Sequence, residues 1–118
     1  MSFRRFARGT RRTPGQMNGL ERQYADLLKL RLRAGELDWF EFDAIKLRLA
    51  ENTFYTPDFF VMRADGGLEV HEVKGTSRGK PFVEDDAAVK IKVAASKYPF
   101  EFHMVWKVAG QWEVKTYG

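Results

Sequence analysis

Apolar residues recur along this chain with two different periods, and the switches between them mark its elements. Leu20, Tyr24, Leu27 and Leu28 fall at helical spacing. Asn18 stands before them with Glu21 three residues on, as in a capping box, and Gly35 ends the run. This predicts a first helix near 19–34. Phe40, Phe42 and Ala44 then alternate, followed one position out of phase by Ile45, Leu47 and Leu49. The phase change predicts one long strand with a bulge or bend, or two short strands. Glu51-Asn52-Thr53 reads as a turn or loop.

Residues 55–75 form the stretch around which the rest is organised. Two apolar runs flank Asp65-Gly66-Gly67, a hairpin signal. A three-residue loop would make Ala64 and Leu68 the last pair. Asp58 would then oppose Lys74, and Phe60 would oppose Glu72. Opposed residues share a face, as do alternate residues along one strand. Asp58, Glu72 and Lys74 therefore converge on one face, beyond the apolar set Phe60, Met62, Leu68 and Val70. Pro57 removes a ladder donor, so its strand is expected to be an edge or to break there.

Residues 75–81 carry Gly75, Arg78, Gly79, Lys80 and Pro81 and read as a flexible basic loop. Glu84, Asp85 and Asp86 suit the start of a second helix. Its apolar surface comes from Ala87 to Ala95, and Tyr98-Pro99 stops it. Phe100, Phe102, Met104 and Trp106 alternate with Glu101, His103, Val105 and Lys107, which predicts a half-buried strand. Ala109-Gly110 turns into a last strand with Trp112 and Val114 inward. His71 and His103 fall opposite the expected core, without a further histidine at ligand spacing, and are assigned to surface structure. The fold expected is α/β, a mixed sheet flanked by helices, with a parallel strand–helix–strand step across 68–106.

Charge adds a partner to this picture. The chain has 118 residues and a net charge of +4, enough length for one domain. Residues 1–33 hold nine Arg and Lys against two acids; the remainder holds eleven against fourteen. Residues 1–16, with Arg4, Arg5, Arg8, Arg11 and Arg12 and no periodicity, read as a flexible basic arm before a single domain at 17–118. Such an arm suits a polyanion, through contacts that position without reading sequence, or it serves only as a solubilising tail. No cysteine is present, which excludes disulfides and thiolate metal sites. No apolar run is long enough to span a membrane, and the arginine-rich start lacks the apolar core of a secretory signal. A cytoplasmic location is the expectation.

Two carboxylates at the rim of a core suit a hard divalent cation such as Mg2+. A lysine two residues beyond the second acid can hold an attacking water or a phosphate oxygen. Metal and lysine beside a phosphodiester make a site for hydrolysis. An isolated Glu-x-Lys is more simply a surface ion pair worth little. Pro57-Asp58 on the partner strand favours the site. Glu21 has a plain role in the cap and a functional one as a third acid. Lys90 or Lys92 on the second helix reads as a phosphate contact or a solvated face.

Pro57-Asp58, thirteen intervening residues and then Glu72-Val73-Lys74 resembles the signature of the PD-(D/E)XK nuclease superfamily. The α-β-β-β-α-β order is similar to its restriction-endonuclease-like core. Asn18-Gly19-Leu20-Glu21, Tyr55-Thr56-Pro57-Asp58-Phe59 and Glu72-Val73-Lys74-Gly75 look most like phage endonuclease I-like Holliday-junction resolvases and small phage nuclease-like proteins. The resemblance covers about residues 17–107. It implies a DNA endonuclease dependent on Mg2+ or Mn2+, acting as a homodimer on branched DNA. It implies Asp58 and Glu72 as metal ligands, the Val73 carbonyl as a backbone ligand, Lys74 as the residue that positions water, and Glu21 as an additional metal ligand. Arg4, Arg5, Arg8, Arg11, Arg12, Arg78, Lys80, Lys90 and Lys92 would meet DNA. A non-catalytic DNA-binding module on the same fold is the alternative.

Overall fold

The computed structural model describes residues 15–81 and 85–117, apart from the side chains of residues 85 and 86. The five arginines of the N-terminal arm lie outside them. Helix α1 spans Gly19–Arg33. Its start is the expected capping box: Glu21 N donates to Asn18 Oδ1 at 2.8 Å, and Asn18 N donates to Glu21 Oε1 at 2.9 Å. Gly35, at φ 82°, turns the chain out of the helix in a conformation that favours glycine.

Strand β1 (Leu37–Phe42) and strand β2 (Leu47–Ala50) are two separate short strands. Asp43, at φ 55°, breaks the run between them. Its amide donates to the Asp58 carbonyl at 2.9 Å, anchoring the break beside the next segment. β2 pairs with β3 (Thr53–Tyr55) in a two-stranded sheet of its own. The sequence shows only a turn there, because three residues are too few for an alternation to register.

Strand β4 (Phe59–Arg63) and strand β5 (Leu68–Lys74) form the central hairpin. Its last pair is Met62 with Leu68, so the register differs by two residues from that of a three-residue loop. The reason is local. Ala64 N donates to Glu36 O at 3.0 Å instead of extending the ladder, and Arg63 N closes on Gly67 O at 2.8 Å. A two-residue slip keeps every side chain on its face. Asp58, Phe60, Val70, Glu72 and Lys74 therefore still share one face. The ladder does break at Pro57: β3 ends at Tyr55 and β4 begins at Phe59.

Beyond β5 the expected open loop is a small hairpin of β6 (Thr76–Ser77) and β7 (Lys80–Pro81). Arg78 at φ 54° and Gly79 at φ 76° form its turn, with the left-handed pair of angles that a two-residue hairpin favours. Helix α2 (Asp85–Lys97) leads to β8 (Glu101–Val108) and β9 (Gln111–Tyr117). The main sheet has five strands in the order β1-β4-β5-β8-β9. β5 and β8 are parallel and the other pairs antiparallel, so the sheet is mixed, as the strand–helix–strand step predicts.

Both faces of this sheet are covered. Val70 and Phe102 pack with Leu47, Leu49 and Tyr55 against Ala87, Ile91 and Ala94 of α2. On the other face Phe59, Val61, Val73 and Val105 pack against Tyr24, Ala25 and Leu28 of α1. The face taken for the outer surface is thus a second core, and His71 is buried in it. A strand with a parallel neighbour is usually covered on both sides. Val114, expected to point inward, is 56% exposed on the edge strand β9. Trp112 does turn inward, its ring edge-on to Tyr24 at 4.9 Å.

Phe59 is fully buried and touches the rings of Tyr24, Phe40 and Phe42. Phe59→Ala is expected to cost about 3–5 kcal/mol. Urea unfolding of the variant against the parent measures it.

Candidate functional site

Four ionisable side chains named from the sequence are buried: Glu21, Asp58, Glu72 and Lys74, each at most 4% exposed. Charged residues of these types are almost never that buried unless something compensates them. Three of them belong to one place. Asp58 precedes β4, and Glu72 and Lys74 end β5, all on the face toward α2.

Asp58 is held by the broken ladder itself. Continuing the β4–β5 register puts Val73 opposite Pro57, where a strand would ordinarily supply an acceptor. The Asp58 carboxylate takes that part: Val73 N donates to Asp58 Oδ2 at 2.8 Å. Val73, named for its carbonyl, thus meets Asp58 through its amide. Glu72 is fixed from both sides. Tyr55 Oη donates to Glu72 Oε1 at 3.0 Å, and Lys74 Nζ lies 3.3 Å from Glu72 Oε2. Tyr55 is 1% exposed, and its role escapes sequence reading because β3 does. Its signal is the need of a buried tyrosine hydroxyl for a partner.

Glu21 stands in the first turn of α1, and its hydrogen bonds to Asn18 are those of the cap. Among the described residues it does not join Asp58 and Glu72 in a group of three clustered ligand atoms. Its complete burial exceeds what a cap requires, since capping groups are content at the surface. Arg78 and Lys80 are exposed on the β6–β7 hairpin, which leaves the sheet directly after Lys74. On α2, Lys92 is exposed and Lys90 partly so.

The opposite face of β5 carries a second polar cluster. His71 and His103 are register partners on parallel strands, with ring centroids 5.1 Å apart. Glu69 lies two residues before His71 on the same face. His71 Nε2 is 2.7 Å from Glu69 Oε1, and His71 Nδ1 is 2.6 Å from Tyr24 Oη. Arg63 Nη1 donates to Glu69 Oε2 at 2.9 Å and also to Glu101. Burial pushes the Tyr24 hydroxyl well above its ordinary pKa, so it stays protonated and donates. His71 then carries its proton on Nε2 and donates to Glu69. Burial lowers the His71 pKa, against the pull of Glu69. The hydrogen bond from His71 is the chief cause that brings Glu69 down to about 2. Burial opposes this, and Arg63 adds to it.

In chemical terms the α2-side cluster is a set of hard oxygen donors beside a cation. The α1-side cluster joins two imidazoles to a carboxylate. Comparison with family models, with curated proteins and with solved structures gives no match. No helix among the described residues is long and apolar enough to cross a membrane.

His71 and Glu69 both make folding acid-sensitive, with the same sign. Below about pH 6.5 an unfolded histidine takes a proton that folded His71 declines, so stability falls with pH. Glu69 adds stability that is complete above its unfolded pKa of 4.5 and is lost toward its folded value of about 2. Urea midpoints measured from pH 8 to pH 4 are expected to decline from near neutrality downward. His71→Phe is expected to flatten the upper part of that decline; an unchanged slope would contradict the account.

Proposed function

We propose that the chain is a metal-dependent endonuclease that hydrolyses DNA phosphodiester bonds. The observation that carries this reading is the shared burial of Asp58, Glu72 and Lys74 at the end of the central hairpin, where Pro57 interrupts the ladder. A salt-bridged strand end would be exposed and worth little. Here two carboxylates are withdrawn from water side by side with one ammonium, and such hard oxygen donors suit a divalent cation.

The donor set fits such an ion. Carboxylate oxygens of Asp58 and Glu72 are hard ligands, suited to Mg2+ or Mn2+ over softer metals. When bound, the ion would supply charge neutralisation at the phosphate and a more acidic water. The remaining work falls to the chain. The Val73 amide and the Tyr55 hydroxyl each hold one oxygen of a carboxylate and so fix how the pair faces a ligand. Lys74, kept near Glu72, orients the attacking water or a phosphate oxygen. Glu21 serves as a buried support at the start of α1. Arg78 and Lys80 meet the phosphate backbone beside the site, with the N-terminal arginines and Lys90 or Lys92 extending the contact. These contacts position the backbone and carry no base readout.

Branched DNA is the substrate proposed, on the strength of the sequence resemblance. Resolution of a junction needs two cuts, which a symmetric homodimer provides.

Purified protein with Mg2+ or Mn2+ is expected to cleave a labelled four-way junction faster than linear duplex or single strand. Asp58→Asn, Glu72→Gln and Lys74→Met are each expected to lower the rate by about 100-fold or more while keeping the fold. Glu21→Gln keeps a capping-box side chain and is expected to retain most of the rate. Salt-dependent binding without cleavage under either metal would leave a non-catalytic DNA-binding module instead. Arg78→Ala with Lys80→Ala is expected to weaken binding equally for all sequences and to shallow its salt dependence.

A further inference from the structure

The α1-side cluster of Glu69, His71 and His103 has the parts of a second metal site, independent of the proposed nuclease centre. Their ligand atoms lie within 4.8 Å of one another. Ligands about 2.1 Å from a tetrahedral zinc stand about 3.4 Å apart. Glu69 Oε1 is 2.7 Å from His71 Nε2 and 3.7 Å from His103 Nε2, so small side-chain adjustments would seat an ion. His103 Nε2 is closed to solvent and, among the described residues, makes no hydrogen bond. It faces Glu101 Oε1 at 3.3 Å and Glu69 Oε1 at 3.7 Å without hydrogen-bond geometry.

The supporting contacts also match those of metal-binding histidines, which ordinarily engage their second ring nitrogen elsewhere. Tyr24 Oη holds His71 Nδ1 at 2.6 Å, and Thr116 Oγ1 holds His103 Nδ1 at 3.1 Å. Both rings thereby turn Nε2 inward. Arg63 holds the far oxygen of Glu69 and leaves Oε1 on the side of the histidines. A cleft of about 180 Å³, lined by Tyr24, Arg31, Glu69, His71, His103 and Val114, opens beside them.

We infer that Glu69, His71 and His103 bind a first-row divalent transition metal, with Zn2+ the fitting ion, and clip β5 to β8 beneath α1. Two imidazoles and a carboxylate leave a fourth position, which the cleft opens to water. Binding would move the His71 proton from Nε2 to Nδ1, and the Tyr24 hydroxyl, the donor without metal, would turn its hydrogen away and accept it, so no net proton need leave His71. Residue alternation separates this site from the other. Glu69 and His71 point toward α1, whereas Glu72 and Lys74 point toward α2.

The test uses the full chain, stripped of metal and titrated with Zn2+ by calorimetry. Ring-nitrogen NMR of the histidines is recorded alongside. An Asp58→Asn, Glu72→Gln double variant removes the other candidate metal site. That variant is expected to keep one Zn2+ per chain, with Kd of about 1 μM or tighter. Nε2 of both His71 and His103 is expected to shift on binding. His103→Gln, at a partly exposed position, is expected to weaken binding by at least about 100-fold, and Thr116→Val by about 10-fold. The inference fails if the double variant binds no Zn2+ at that level. It fails equally if His103→Gln, shown folded by circular dichroism, binds as the parent does. Neither outcome depends on whether the chain cleaves DNA.

Discussion

The structure depends on β5, a seven-residue strand that is buried on both faces although four of its residues are ionisable. A strand in that position ordinarily carries a continuous apolar run. Here Glu69, His71, Glu72 and Lys74 are all within it, and of its apolar residues Val70 and Val73 are buried while Leu68 is half-buried. Each charged or polar group must then be matched locally, because water cannot do so. The matching is divided by residue parity. Toward α2, Glu72 meets Tyr55 and Lys74; toward α1, Glu69 meets His71 and Arg63. The helices, the break at Pro57 and the side sheet of β2 and β3 all bear on one or the other of these sets.

Much of the fold could be read from the residues because its signals are local. The 3.6 period from Leu20 to Leu28, the Asn18–Glu21 capping box and Gly35 specify α1 within a few neighbours. The alternation from Phe100 to Lys107 likewise specifies β8, and Ala109-Gly110 its turn. What could not be read depends on distant partners. The hairpin register was moved by a hydrogen bond from Ala64 to Glu36, twenty-eight positions away. That β2 leaves the main sheet follows from Asp43 taking a left-handed conformation and bonding to the Asp58 carbonyl. Neither contact has a periodic trace.

The two polar clusters differ in the same way. Asp58, Glu72 and Lys74 could be placed on one face because parity survives a two-residue error in register. Their supports could not. Tyr55 reaches Glu72 only because β3 folds back over the α2 side, and the Val73 amide reaches the Asp58 carboxylate only because the β4–β5 ladder stops at Phe59 and His71. The α1-side cluster was missed for a different reason. Period-two reasoning assigns one face to the core and the other to solvent, and so sends His71 and His103 to the surface. That inference holds for a sheet covered on one side. It fails once α1 covers the second face, and coverage is a tertiary fact that alternation does not carry.

With both proposed sites filled, β5 would sort metals between its two faces. Carboxylate and carbonyl oxygens with a lysine nearby favour Mg2+ or Mn2+, which tolerate hydration and hard donors. Two imidazoles with one carboxylate favour ions further along the divalent series, where nitrogen affinity rises steeply. The two sets meet at adjacent residues, His71 and Glu72, whose side chains the backbone sends to opposite faces. Exchange of ligands between them would require His71 or Glu72 to pass through the sheet, against the packing of Val70, Val73, Phe102 and Val105. The hydrogen-bonded ladder of β5 with β8 thus acts as a partition between the two sets of side chains: an ion bound as proposed beneath α1 would not compete for the groups on the α2 side.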